Sequence, residues 1–193
     1  MFDFETDIIL RDARPDDASF IARAVWAGMD MLDLGETISD KQMPMYEYFT
    51  GICRRDDTLY SYLRTRIAEC DGETVGALVS YDGGEYAQLR ERTFGLFENA
   101  TGRKISHNAM ESQAGEYYLD SMAVMPDFRG AGIGKMLMRD RMNWASRSGI
   151  STATLLVDKE KPRLQQYYES LGFIFKEEVL FFGSWYNKLK CAL

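Results

Sequence analysis

The sequence predicts an α/β protein, with a mixed β-sheet flanked by helices. Three observations carry this. Short apolar runs alternate with segments of helical spacing along the 193 residues. Two pairs of apolar runs are joined by short turns, and such hairpins make a sheet mixed rather than purely parallel. One apolar run also leads through a glycine-rich turn straight into an amphipathic segment, between 117 and 147.

The elements follow in order. Ile8-Ile9-Leu10-Arg11 reads as a strand. Arg14-Pro15-Asp16-Asp17-Ala18 opens a helix, because proline and aspartate suit a first turn whose free N–H groups favour negative charge. Phe20, Ile21, Ala24, Val25 and Met29 then recur at helical spacing, and a second helix is expected over 40–54. Tyr60 to Ala68 and Val75 to Tyr81 form a hairpin about the Asp71-Gly72-Glu73 turn. Asp82-Gly83-Gly84 ends it, Tyr86 to Phe97 has helical spacing, and the polar stretch 99–116 is expected to be a mobile loop. Tyr117 to Val124 is a strand that stops at Pro126. A helix over about 133–147 carries Ile133, Leu137, Met138, Met142 and Ala145 as its apolar stripe, with Gly149 past its end. Thr152 to Val157 is a strand, Pro162 opens a helix to Leu171, and Phe173–Phe181 with Trp185–Leu189 make a last pair of strands.

Composition bounds the function. The chain is 46% hydrophobic and 27% charged, which suits one domain of ordinary size with a real core. There is no linker or repeat, so residues 1–193 are expected to form a single domain. Net charge is −7, and no basic tract offers an electrostatic footprint for nucleic acid. No uncharged stretch approaches the ~18 residues of a membrane span. The acidic start Met1-Phe2-Asp3-Phe4-Glu5 lacks the form of a secretory signal. Cys53, Cys70 and Cys191 are too widely spaced for a disulfide framework or a zinc motif. The expected setting is therefore cytoplasmic, with no nucleic acid, membrane or metal partner. His107 is the single histidine and sits among polar neighbours, as a loop or surface residue would.

The informative stretch is Asp127-Phe128-Arg129-Gly130-Ala131-Gly132-Ile133-Gly134-Lys135, between a strand and a helix. Its glycines let backbone N–H groups approach a ligand, and a helix N-terminus adds unpaired donors and partial positive charge. Together they suit a pyrophosphate, with Arg129 and Lys135 adding full charges. The spacing departs from the Walker loop, where four residues separate the glycines and Ser or Thr follows the lysine. It also departs from the dinucleotide G-x-G-x-x-G fingerprint. A tight helix start without a ligand is the plain alternative.

Arg129-Gly-Ala-Gly-Ile-Gly134 resembles the R/Q-x-x-G-x-G/A signature of the GNAT acetyltransferase superfamily. Tyr118-Leu-Asp-Ser-Met-Ala-Val124 resembles that family's central strand, and Val157 with Tyr168-Glu-Ser-Leu-Gly-Phe173 its V…LYEKLGF ending. The likeness is strongest over 117–173, the expected coenzyme-binding core. It implies a GNAT-like fold with helices on both faces of the sheet and splayed central strands. It also implies acetyl-coenzyme A as co-substrate and direct transfer to a primary amine of a small molecule or peptide. A homodimer is a further expectation from the family. The backbone of Met122, Ala123 and Val124 and the loop Arg129, Gly130, Ala131, Gly132, Ile133, Gly134 and Lys135 would then hold the coenzyme. Tyr168 stands where the family places the tyrosine that protonates the leaving thiolate; the plain alternative is a tyrosine packed on the core. Asp120, a carboxylate in an apolar strand, would accept the amine proton, bind the ammonium, or pair structurally. Tyr118 shares its strand face and would line the acceptor cleft. Lys161 replaces an asparagine common in the family. The alternative readings are a catalytically inactive coenzyme-binding or interaction module of the same fold, and a dinucleotide oxidoreductase.

The charge is lopsided. Residues 1–60 hold 13 acidic and 6 basic side chains, whereas 121–170 hold 8 basic and 5 acidic. This would separate a positive coenzyme side from a negative side for a cationic amine, or simply mark a solvated acidic face.

Overall fold

The computed structural model describes residues 7–105 and 110–193. The chain runs β1 (Ile8–Asp12), α1 (Ala18–Gly28), α2 (Met43–Cys53), β2 (Thr65–Cys70), β3 (Glu73–Asp82), α3 (Tyr86–Thr101), β4 (Glu116–Val124), α4 (Ile133–Arg147), β5 (Thr152–Asp158), α5 (Pro162–Ser170), β6 (Ile174–Phe181) and β7 (Ser184–Ala192). The strands form a seven-stranded sheet in the order β1-β2-β3-β4-β5-β7-β6. β4 and β5 are parallel, while β1–β2, β2–β3, β5–β7 and β6–β7 are antiparallel, so the sheet is mixed as the hairpins required. His107 and the N-terminal Met1–Glu5 stretch lie outside the described residues.

The chain divides into two compact units, one of Met1–Ser80 with Ser121–Asp140 and one of Tyr81–Asp120 with Arg141–Leu193. In the first, Arg11 ties the chain's opening together. It donates to both oxygens of Asp17 at 2.8 and 2.9 Å and to Glu69 at 2.6 Å. Burial works against the Asp17 charge, but the Arg11 hydrogen bonds and charge, the Arg14 N–H and the Thr74 hydroxyl together hold the carboxyl below its usual range. α1 buries Ile21, Ala22, Ala24, Val25 and Trp26, with the Trp26 ring edge-on to Tyr46 at 5.4 Å. Met29, counted in the stripe from its spacing, falls past the helix end and is 47% exposed. β2 starts at Thr65 rather than Tyr60, because Ser61 caps a 3-10 turn over Tyr62–Arg64 by accepting from the Leu63 N–H at 3.1 Å. Such side-chain bonds offer the backbone an alternative to the ladder. At the β2–β3 turn Asp71 and Gly72 both have positive φ, the conformation a two-residue hairpin needs. Gly76 of β3 admits α4: a Cβ there would lie 3.2 Å from Ile133 and 3.4 Å from Leu137.

In the second unit β5 buries Ala153, Leu155 and Val157, and Phe173 and Leu189 join that core. Pairing of β4 with β5 ends at Tyr118 and Thr154, although β4 continues to Val124 and β5 to Asp158. This early end is what splayed central strands predict. At the start of β4, Glu116 accepts from Lys188 at 2.8 Å and Lys176 at 2.7 Å. The stretch 99–116 departs from the loop expectation at both ends. α3 continues to Thr101, and Ser112 is 1% exposed. The Gly83 N–H donates to the Glu116 carbonyl at 2.8 Å, and a Cβ on Gly83 would sit 2.1 Å from the Gln113 oxygen, so only glycine fits.

Candidate active site

The glycine loop belongs to the first unit. β4 ends with the Met125 N–H donating to the Val75 carbonyl at 2.8 Å, and a 3-10 turn over Pro126–Phe128 follows. Gly130 and Gly132 have φ of +83° and +80°, a region that side chains make costly. Nothing lies within 4 Å of a Cβ at either, so the restriction is conformational, not steric crowding. Gly130, Ala131, Gly132 and Lys135 are exposed, Gly134 is half-buried, and Ile133 is buried as the anchor of α4. Met122, Ala123 and Val124 are half-buried at the end of β4. The exposed backbone, the start of a fifteen-residue helix and the exposed Lys135 fit a pyrophosphate group.

Arg129 is engaged differently from its expected role as a phosphate cation. Its Nε donates to the Val124 carbonyl at 3.1 Å, and both terminal nitrogens grip the Asp33 carboxylate, one of them at 3.2 Å. The Arg129 hydrogen bonds hold the Asp33 carboxyl below its usual range. Lys161 donates its backbone N–H to the Asp158 carbonyl at 2.9 Å at the start of α5.

The second unit gathers a cluster of tyrosines and carboxyl groups. Tyr81, near the end of β3, donates its hydroxyl to Asp120 Oδ2 at 2.7 Å. Tyr118, two residues earlier on β4, donates to Glu111 Oε2 at 2.9 Å, and Tyr86 of α3 donates to Glu111 Oε1 at 2.9 Å. The Tyr81 ring stacks on Tyr86 with centroids 6.1 Å apart and meets Tyr118 at 5.6 Å. Burial first, and the charge of Asp120 second, push Glu111 well above the usual carboxylate range. The same burial pushes the Tyr81 and Tyr118 phenols up, so both keep their protons and remain donors.

The structure thus brings Asp120 and Tyr118 together, as their shared strand face implied. Tyr118 is 2% exposed and its hydroxyl is spent on Glu111, which makes it a buried support. Tyr168 lies on α5, half-buried, with its ring edge-on to Phe173 at 6.1 Å and beside Tyr167 at 5.4 Å. Desolvation pushes its phenol up to about 12. Sequence reasoning missed Glu111, Tyr81 and Tyr86. Their contacts span 39 and 25 residues, so no local spacing marks them. The one available signal was an acidic residue in a long connection shortly before β4.

The sequence profile of the Acetyltransferase (GNAT) family matches residues 26–173. The mycothiol acetyltransferase of Streptomyces coelicolor is 33% identical over 72 residues, 37% of this chain and 23% of that protein. An uncharacterized N-acetyltransferase of Gracilaria tenuistipitata var. liui is 35% identical over 65 residues, 34% of each. The chain therefore covers about a quarter to a third of the length of these relatives. A crystal structure described as an acetyltransferase superposes with a TM-score of 0.75 at 27% identity, covering 95% of this chain and 98% of that one. The chain belongs to the Acetyltransferase (GNAT) family.

Proposed function

We propose that this protein is an N-acetyltransferase that moves an acetyl group from acetyl-coenzyme A directly to a primary amine of a small molecule or peptide. One observation carries the reading: β4 bears a tyrosine-held carboxylate, Asp120, and leads directly into an exposed glycine loop at the start of α4.

Acetyl-coenzyme A supplies an activated thioester. The exposed loop Gly130–Gly132 and Lys135 take its pyrophosphate, and the main chain of Met122, Ala123 and Val124 takes its arm. Asp120 accepts a proton from the acceptor ammonium, because only the neutral amine attacks. Tyr168 gives its proton to the sulfur. With a phenol pushed up to about 12, it carries that proton throughout the neutral range. Nitrogen loses two protons in passing from ammonium to amide: the first passes through half-exposed Asp120 to solvent, and the second, released as the N–C bond forms and the C–S bond breaks, balances the proton that Tyr168 gives to sulfur. Direct transfer is supported by the thiols: burial pushes Cys53, Cys70 and Cys191 up, whereas an acetyl-carrying thiol needs the opposite.

A positively charged acceptor belongs to the same reading. A cavity of about 350 Å³ in the first unit is lined by Ala27, Asp30, Met31, Leu32, Asp33 and Glu36, within the acid-rich residues 1–60, with Asp33 already paired to Arg129. Among the described residues no helix is long and apolar enough to cross a membrane. A cytoplasmic setting is in keeping with three free cysteines. The test is release of free thiol from acetyl-coenzyme A in the presence of spermidine, tyramine or a peptide with a free N-terminus. Amine-dependent release is expected. Tight coenzyme binding with no release for any of these amines would favour the binding-module alternative.

A further inference from the structure

Between the end of α1 at Gly28 and the start of α2 at Met43 the chain has no helix or strand, yet Leu32 and Leu34 within it are buried. Contacts made residue by residue hold this connection. Near its start the Met31 N–H donates to the Trp26 carbonyl at 2.9 Å. Further on, Arg23 of α1 donates to the Leu34 and Glu36 carbonyls at 3.3 and 2.8 Å. Toward β4, two glycines permit a close approach. A Cβ on Gly28 would lie 3.3 Å from Ser121 Oγ, and one on Gly35 would lie 3.2 Å from Pro126 Cγ. Arg129 supplies the charged tie. Both of its terminal nitrogens meet Asp33, 96 residues away, while its Nε stays on the Val124 carbonyl at 3.1 Å. Asp33 Oδ1 also accepts from the Leu34 N–H at 2.8 Å, so the grip reaches the backbone of the connection. One guanidinium therefore joins the end of β4, the head of the glycine loop and the cavity wall to which Asp33 belongs. The pair is 50% and 45% exposed, so it contributes little to folding. Its two-pronged geometry contributes direction, because a planar fork fixes the carboxylate it holds.

We propose that the Arg129 side chain is a positioning residue of the acceptor side: by clasping Asp33 it holds the α1–α2 connection, and with it the cavity wall, against the end of β4 and the coenzyme loop. The inference rests on the acetyl-transfer reading above, which takes the coenzyme on the glycine loop and a cationic amine at the acid-lined cavity. It gives Arg129 a task other than phosphate binding. All three of its guanidinium nitrogens are engaged within the protein, and the pyrophosphate falls to the loop backbone and Lys135. Arg129 orders the wall for the second substrate instead.

Two single variants of the full chain, Arg129→Gln and Asp33→Asn, with their double variant, test the clasp. Amide hydrogen exchange over residues 29–36 needs no substrate. Both single variants are expected to speed it about two- to fivefold, the range that loss of an exposed ion pair allows. Calorimetric titration with coenzyme A is expected to give a Kd within about twofold of the wild type for both. The kinetic arm uses whichever of spermidine, tyramine or the peptide supports thiol release. Both variants are expected to raise the amine KM about two- to fivefold, and the double variant no further than the worse single one, because the two residues act as a unit. Arg129→Lys keeps the charge without the fork, so its KM is expected to fall between wild type and Arg129→Gln. Changes of opposite sign, with Arg129→Gln lowering the KM and Asp33→Asn raising it, would show that the charge of Asp33 matters and its position does not, and would overturn the proposal. Weaker coenzyme binding in Arg129→Gln alone would make the side chain a phosphate ligand and overturn it too, as would unchanged exchange in both variants. Absence of thiol release with all three amines would instead overturn the transfer reading, and the acceptor role with it.

Discussion

Tyr81 and Asp120, 39 residues apart in sequence, share a 2.7 Å hydrogen bond in which the phenol donates to the carboxylate. The bond fixes the orientation of the one carboxylate that the apolar strand β4 carries in its middle. Asp120→Asn is expected to lower kcat/KM by roughly 10²–10⁴-fold, the usual contribution of a positioned base. Tyr81→Phe should cost less, about tenfold, because the carboxylate survives without its clamp. Steady-state kinetics with saturating acetyl-coenzyme A checks both, and equal losses would show that the clamp is as necessary as the charge.

Tyr168 is argued to be a proton donor to sulfur. Tyr168→Phe is expected to lower kcat by about 10²-fold or more while the affinity for coenzyme A, read by calorimetry, stays within about twofold. With its phenol pushed up to about 12, Tyr168 contributes no alkaline fall in kcat through the range where most enzymes are assayed. Unaltered turnover in Tyr168→Phe would return this residue to a packing role against Phe173.

Gly132 sits at φ +80° with open space around its Cβ position. Gly132→Val is expected to cost about 1–2 kcal/mol of stability through backbone strain and to abolish measurable coenzyme binding. Gly132→Ala should weaken binding less. Calorimetric titration with coenzyme A separates the two, and unchanged binding in the valine variant would remove the loop from the coenzyme site.

Glu116 is 5% exposed, with Lys188 at 3% and Lys176 completing the group. Lys188→Met is expected to destabilise by roughly 3 kcal/mol, since it leaves a buried carboxylate with one partner instead of two. Burial opposes the Glu116 charge, but the hydrogen bonds and charges of the two lysines together lower its pKa in the folded state. A depressed carboxylate contributes stability above its unfolded pKa, and the contribution is lost as pH falls through the folded value. Urea unfolding at pH 7 and at about pH 3 should therefore show a smaller difference in Lys188→Met than in the wild type.

Glu111 has the opposite sign. Its folded pKa is raised, so the folded state holds a proton that the unfolded state gives up above about pH 4.3. Stability therefore falls as pH rises from there toward the folded value. Glu111→Gln removes this titration, and the wild-type decline in Tm between pH 5 and pH 8 is expected to flatten in the variant. An unchanged slope would place Glu111 among ordinary carboxylates.

The comparison of expectation with structure turns on range. α4 over Ile133–Arg147 and the left-handed Gly149 were readable because period, glycine and proline act within a few residues. The β2–β3 hairpin was equally local, since Asp71 and Gly72 carry their turn preference themselves. The start of β2 was misjudged only where Ser61 recruits the backbone into a 3-10 turn.

By itself the sequence determined the element order, the mixed sheet, the glycine loop Arg129–Lys135 and the placing of Asp120 on β4. All of these rest on nearest-neighbour sterics and periodicity. Only the tertiary structure decided the company those residues keep. It gave Arg129 to Asp33 and closed Tyr118 onto Glu111. It also brought Glu111, in the stretch expected as a loop, onto Tyr86 and Tyr118. The reason is physical: a hydrogen bond or a desolvated charge depends on distance through space, and residues such as Tyr81 and Asp120 become neighbours only when the strands bearing them fold together.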